Sequence, residues 1–161
     1  MRFSSTRDST LSQDLSGALL AGLADDGGLY VPNHLPKFSA EDFDADDSVA
    51  AIAARLLQPF FDGDPLAGEL PAICGEAFDF PAPLKSLTIE QTCLLELFHG
   101  PTAAFKDFGA RFLAACMQRL HKPGNGTLTI IVATSGDTGA AVAAAFHGLP
   151  HLRVVVLYPD G

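Results

Sequence analysis

Apolar residues recur every fourth position from Leu11 through Leu15 and Leu19 to Leu23, which predicts a helix over residues 10–23. Thr10 and Gln13 can close a capping box at its start. The stretch "DDGG" at 25–28 breaks the period, and "LYVP" reads as a short strand ended by Pro32. Val49, Ile52, Ala53, Leu56, Leu57 and Phe60 share one face of a second helix over 48–61, with Asp47 as its expected N-cap. A weaker helical pattern follows over 65–77, and "FPAPLKSL" reads as a loop.

From about residue 88 the pattern changes. "TCLLELF" reads as a buried strand. Residues 103–121 read as a helix with Phe105, Phe108, Phe112, Leu113, Cys116 and Leu120 facing inward. After the turn "KPGNG", the β-branched run "TLTIIVAT" has the character of a strand inside a parallel sheet. "GDTGAAVAAAFHGL" reads as a helix stopped near Gly148, and "LRVVVLYP" as another buried strand. The expected class is therefore α/β: a helical N-terminal region, 1–85, then a parallel-sheet β-α-β-α-β unit over 86–161. Such crossovers are right-handed and place ligands at the carboxyl ends of the strands.

Composition narrows the partners. The chain has 161 residues, 48% hydrophobic and 18% charged, which is a globular composition. A net charge of −9 argues against nucleic acid or an anionic membrane surface as the main partner. The opening "MRFSSTRDST" has no apolar h-region, so no secretory signal is expected. No apolar run approaches the roughly 20 residues that span a bilayer. Cys74, Cys93 and Cys116 are widely spaced, the pattern of reduced thiols in a cytoplasmic protein.

Two strand-to-helix loops carry the candidate chemistry. The first, "HGPTAAFKD", places Lys106 in the opening turn of its helix between phenylalanines. The helix dipole and apolar neighbours there would favour the neutral amine, which is a nucleophile towards aldehydes. The commoner behaviour of a lysine is to cover apolar surface while its ammonium reaches water. The second loop, "ATSGDTG" at 133–139, offers Ser135, Thr138 and the Gly136 and Gly139 backbones as donors for a carboxylate or phosphate. Ordinary N-capping by Ser135 or Asp137 explains it equally well. The loop is neither a Walker A motif nor a nucleophile elbow.

Other polar residues read as structural. Asp107 stands four residues before Arg111, the spacing of a surface helix salt bridge. His99, His121, His147 and His151 show no metal-ligand spacing, and no metal site is expected. The acidic run at 41–47 reads as a solvated loop, and Arg7 as an exposed cation.

"ELFHGPTAAFKDFGARF" and "VATSGDTGAAVAAAF" closely resemble two signature segments of the threonine synthase family, and "FSSTRDS…ALLAGLADDGGLYVPNHLP" resembles its N-terminal segment. Asp8 departs from the glycine expected after "STR". The resemblance implies the tryptophan-synthase-β-like fold (fold type II) and pyridoxal 5′-phosphate as cofactor. It also implies conversion of O-phospho-L-homoserine and water into L-threonine and phosphate. Lys106 matches the lysine that forms the Schiff base with the cofactor. Ser135, Gly136, Asp137 and Thr138 match the loop facing the cofactor ring and the substrate carboxylate, where many relatives carry asparagine in place of Asp137. Family members are much longer, so the glycine-rich phosphate loop and most of a second domain are expected beyond "LYPDG". The piece alone is expected to be inactive and prone to self-association. The alternatives are a related fold-type-II dehydratase or synthase, and a fragment that binds cofactor weakly or not at all.

Overall fold

The computed structural model describes residues 1–44, 47–121, 124–134 and 136–159. These residues form two compact units, Met1–Gly75 and Glu76–Gly161.

The first unit opens with a small antiparallel sheet in which β1 (Phe3–Ser5) lies between β2 (Ser12–Gln13) and β3 (Tyr30–Pro32). The strand expected from "LYVP" is thus present, with Tyr30 opposite Ser5. Helix α1 covers Leu15–Ala21 only. The expected start at residue 10 is wrong because Gln13 is paired in β2 and Asp14 takes the cap, accepting from the Gly17 amide at 2.7 Å. Thr10 instead bonds Asp8, whose carboxylate accepts from its amide at 2.9 Å and its hydroxyl at 2.7 Å. A side-chain acceptor thereby builds a local turn at the position where glycine was expected.

Helix α2 runs from Val49 to Phe61, capped by Ser48 and not by Asp47. Asp47 pairs with Arg55 at 3.3 Å. The acidic run before it includes a 3-10 turn, Ala40–Asp42, with Asp42 accepting from the Ser39 amide; Ala45 and Asp46 lie outside the described residues. Buried Asp64 accepts from both the amide and the hydroxyl of Ser16, at 2.9 and 2.7 Å, and so ties α1 to the chain beyond α2. A 3-10 turn at Ala67–Glu69 leads into α3, Leu70–Ala77. Phe61, Leu66, Leu70, Ile73 and Cys74 are the large buried side chains here.

In the second unit "FPAPLKSL" is not all loop. Leu84–Ser86 forms β4, antiparallel to β5 at Cys93–Leu95. The strand in "TCLLELF" therefore exists, but it is not buried and, among the described residues, pairs with β4 and not with the parallel sheet. Leu94 and Leu95 are about half exposed. A run of apolar residues specifies a strand without specifying its partner.

Helix α4 spans Lys106–Leu120, and β6 (Leu128–Ala133), α5 (Asp137–Phe146) and β7 (Leu152–Leu157) follow. Strands β6 and β7 are parallel and in register from Leu128 opposite Leu152 to Ala133 opposite Leu157. Ala114, Met117, Phe146 and Leu152 form the buried centre, flanked by Leu128, Ile130, Val142 and Val154. Phe108 and Phe112 pack on Phe78, whereas Phe105, expected inward, is 61% exposed. No helix among the described residues is long and apolar enough to cross a membrane.

Candidate functional site

The polarity of the β-α-β unit determines where its loops meet. Helix α5 starts just after β6 ends and runs back along the sheet, so its N-terminus lies at the carboxyl edge. Helix α4 runs the same way. Its Met117, near the C-terminus, clusters with Phe146 at the end of α5 and with Leu152 at the start of β7. Arg111, Ala114, Ala115 and Gln118 of α4 also line one groove with Ala144, Ala145 and Leu149. The first residues of the two helices, Lys106 and Asp137, are therefore directed to one edge of the sheet. That edge also carries an open pocket lined by Ala133, Thr134, Leu157, Tyr158 and Pro159.

Lys106 is exposed, and its amine makes no ion pair or hydrogen bond with a described residue. Its aromatic neighbours do not bury it: Phe105 points to solvent, and Phe108 turns to Phe78 and Phe80. The expected desolvation by phenylalanines is absent within these residues.

Asp107, by contrast, is only 1% exposed. Its carboxylate accepts from the Thr102 amide at 2.9 Å and the Thr102 hydroxyl at 2.7 Å. The expected Asp107–Arg111 surface pair does not form. Arg111 pairs with Asp79 at 2.7 Å and donates to the carbonyls of Glu76 and Ala77. The i,i+4 rule lost because two donors from the preceding loop satisfy the carboxylate inside the protein. Gly100 makes this possible: a Cβ there would come within 2.5 Å of Asp107 Oδ2. In the same loop Ala103 has φ 53°, a left-handed conformation that costs a non-glycine residue about 1–3 kcal/mol. Asp107 was underestimated from the sequence; the signal was a Gly-Pro-Thr turn ending just before a helix-opening acid.

On the second loop Ser135 lies outside the described residues. Gly136 is the N-cap of α5, no side chain among the described residues caps the helix, and Asp137 is exposed in its first turn. Asp137 is therefore not the cap, and the first-turn amides of α5 lie at a helix start that favours an anion. Thr138 is half-buried next to it. Gly139 packs so close to Thr134 and Val156 that a Cβ would strike the Thr134 methyl. Helix α5 sits tightly on the ends of the strands for this reason.

Two family models match the chain: threonine synthase N terminus over residues 2–78, and pyridoxal-phosphate dependent enzyme over residues 80–161. The chain belongs to the pyridoxal-phosphate dependent enzyme family. It is 43% identical to the threonine synthase of Escherichia coli K12, over 100% of its own length and 37% of that protein's. The threonine synthase of Haemophilus influenzae is 44% identical over 91% of the chain and 34% of the relative. In structure it resembles the pyridoxal-phosphate-bound threonine synthase of Brucella melitensis, with a TM-score of 0.88 and 40% identity over 100% of this chain and 36% of that one. The chain thus spans little more than a third of the length of these relatives. Its mixed α/β architecture with a parallel sheet is that of a fold-type-II pyridoxal-phosphate enzyme.

Proposed function

We propose that the protein carrying this chain is a threonine synthase, converting O-phospho-L-homoserine and water into L-threonine and phosphate. The observation that carries the reading is that Lys106 and Asp137, the first residues of α4 and α5, are directed to one edge of the β6–β7 sheet, where among the described residues the Lys106 amine has no partner and α5 no side-chain cap. Likeness to threonine synthases along the whole chain supports it. The donor set fits pyridoxal phosphate: a free primary amine for its aldehyde, and amides and a hydroxyl for anionic oxygens.

When bound, that cofactor supplies an electron sink that makes carbanions beside the amino group accessible. Lys106 is the residue that would hold the cofactor through its aldehyde. Its amine would take and return protons at the substrate's Cα and Cβ. Ser135, Gly136, Asp137 and Thr138 bind the substrate carboxylate and orient the ring. The α5 first-turn amides and the Thr138 hydroxyl serve as donors, and Asp137 serves as an acceptor. We divide the chain functionally into a helical N-terminal region, 1–85, and the first part of the cofactor domain, 86–161. Three cysteines spaced widely along the sequence support a cytoplasmic setting.

Borohydride reduction of the cofactor-loaded full-length protein, followed by peptide mapping, is expected to place the pyridoxyl group on Lys106. Equimolar threonine and phosphate are expected from phosphohomoserine. Label on Lys85 or Lys122 would refute the site, and a 2-oxo acid in place of threonine would assign a dehydratase.

A further inference from the structure

Lys106 and Asp107 are consecutive, yet one is exposed and the other is 1% exposed. Successive helical residues point about 100° apart, so pinning one fixes the direction of the other. Asp107 is pinned by Thr102, whose amide and hydroxyl both donate to it at 2.9 and 2.7 Å. The turn that brings Thr102 there is closed by the Ala103 amide donating to the Gly100 carbonyl at 3.0 Å, with Ala103 held at φ 53°. Gly100 lies directly against the Asp107 carboxylate, where no side chain fits.

We propose that Asp107 is a positioning residue for the covalent lysine. By locking loop 100–105 onto the first turn of α4 it sets the rotation of that turn, and so aims the Lys106 amine at the carboxyl edge of the sheet. The lock acts from within the loop–helix junction. Asp107 itself touches neither cofactor nor substrate. Two features separate this from plain helix capping. The N-cap position is Phe105, which supplies no side-chain acceptor, and the Asp107 bonds run to a strained loop and not to the helix's own amides. A carboxylate in a first turn also complements the helix dipole, but an exposed one would do that equally well.

The inference rests on the assignment of Lys106 as the covalent lysine, and the test separates the two. The full-length protein, freed of cofactor, is treated with pyridoxal phosphate and cyanoborohydride. The lysine amine condenses with the aldehyde, water leaves, and the reagent's hydride fixes the imine as a secondary amine. Mass spectrometry then follows label at Lys106 against exposed Lys37 as internal reference. In Asp107→Ala the Lys106 rate is expected to fall at least tenfold while the Lys37 rate is unchanged. Thr102→Val, which keeps the amide donor, is expected to show a smaller loss in the same direction. Asp107→Asn, which has the same shape and retains an acceptor, is expected to recover at least half of the parental rate. Lys106 labelling in Asp107→Ala equal to the parent's would overturn the inference while leaving the lysine assignment standing. Should that variant fail to fold, parental labelling in Thr102→Val does the same. No label on Lys106 in the parent overturns the assignment, and the inference with it.

Discussion

Glu76 shows how little a well-formed surface pair needs to contribute in order to be measurable. Its carboxylate takes two bonds from Arg119, at 2.6 and 3.0 Å, and these hold its pKa below the ordinary glutamate value. A lowered pKa stabilises the fold above the unfolded-state value and ceases to do so as pH falls through the folded one. Glu76→Gln is therefore expected to cost no more than about 1 kcal/mol at neutral pH, with the difference from the parent shrinking as pH falls below the ordinary glutamate value of about 4.3 and through the lowered one. Urea unfolding across that range checks it; a difference independent of pH would rule out the charge as its source. Cys74 shifts the other way, its thiol pushed up to about 11 by burial. Its contribution is intact below the unfolded thiol value and is lost as pH rises towards 11. At pH 8 a thiol reagent is expected to modify exposed Cys93 in the folded protein and to leave buried Cys74 and Cys116 until denaturant is added. Prompt reaction of all three would contradict the burial. Asp137 is the remaining test at this scale. It does not cap α5, so Asp137→Asn should leave stability within about 0.5 kcal/mol. Any fall in full-length threonine formation then reports the carboxylate itself, and unchanged activity would show that its charge has no role.

At the scale of elements, buried polar ties and apolar packing do different jobs. Asp64 joins the start of α1 to the turn before α3, accepting from Ser16 twice and from the Leu66 amide at 3.0 Å. Asp64→Ala strands those donors, and a cost of about 2–4 kcal/mol follows from unsatisfied groups of this kind. Phe146 closes the α4–α5–β7 contact at 1% exposure, so Phe146→Ala should cost about 3–5 kcal/mol. Chemical denaturation of each variant measures these losses. A change under 1 kcal/mol in either would mean the element is held by something else.

At the scale of the whole molecule, exposure is the informative quantity. Ile131, Val155 and Leu157 leave one face of the β6–β7 pair open; Leu84 and Leu95 are exposed side by side on one face of the β4–β5 hairpin, Leu94 on the other, and Ile89 in its turn. Contiguous apolar surface of this kind favours association. A protein made of these 161 residues alone is expected to elute above its monomer mass, in proportion to its concentration. It should also lose pyridoxal phosphate on dialysis and make no threonine, because Lys106 and Asp137 are open to water here. Concentration-independent monomer, or measurable turnover, would contradict the reading.

The local signals that held were those in which one interaction decides. β6, β7 and α5 followed from a β-branched run, a Gly-Asp-Thr-Gly start and a glycine stop, and the place of Lys106 in the opening turn of α4 from the apolar period that follows it. What the chain alone left open involved competition between partners distant in sequence. Asp14 displaced the expected start of α1 once Gln13 paired with Phe3. Hydrogen bonding to β4 drew β5 out of the parallel set, since apolar character is the same in either pairing. Asp107 went inward because Thr102 offered two donors and Gly100 left room, which no i,i+4 count along the helix can register. Periodicity and residue type determined most of the segments that are helix or strand and set Lys106 at the opening of a helix. Tertiary structure alone decided which donor satisfies each buried acceptor, because that choice depends on distances between segments and not on their order.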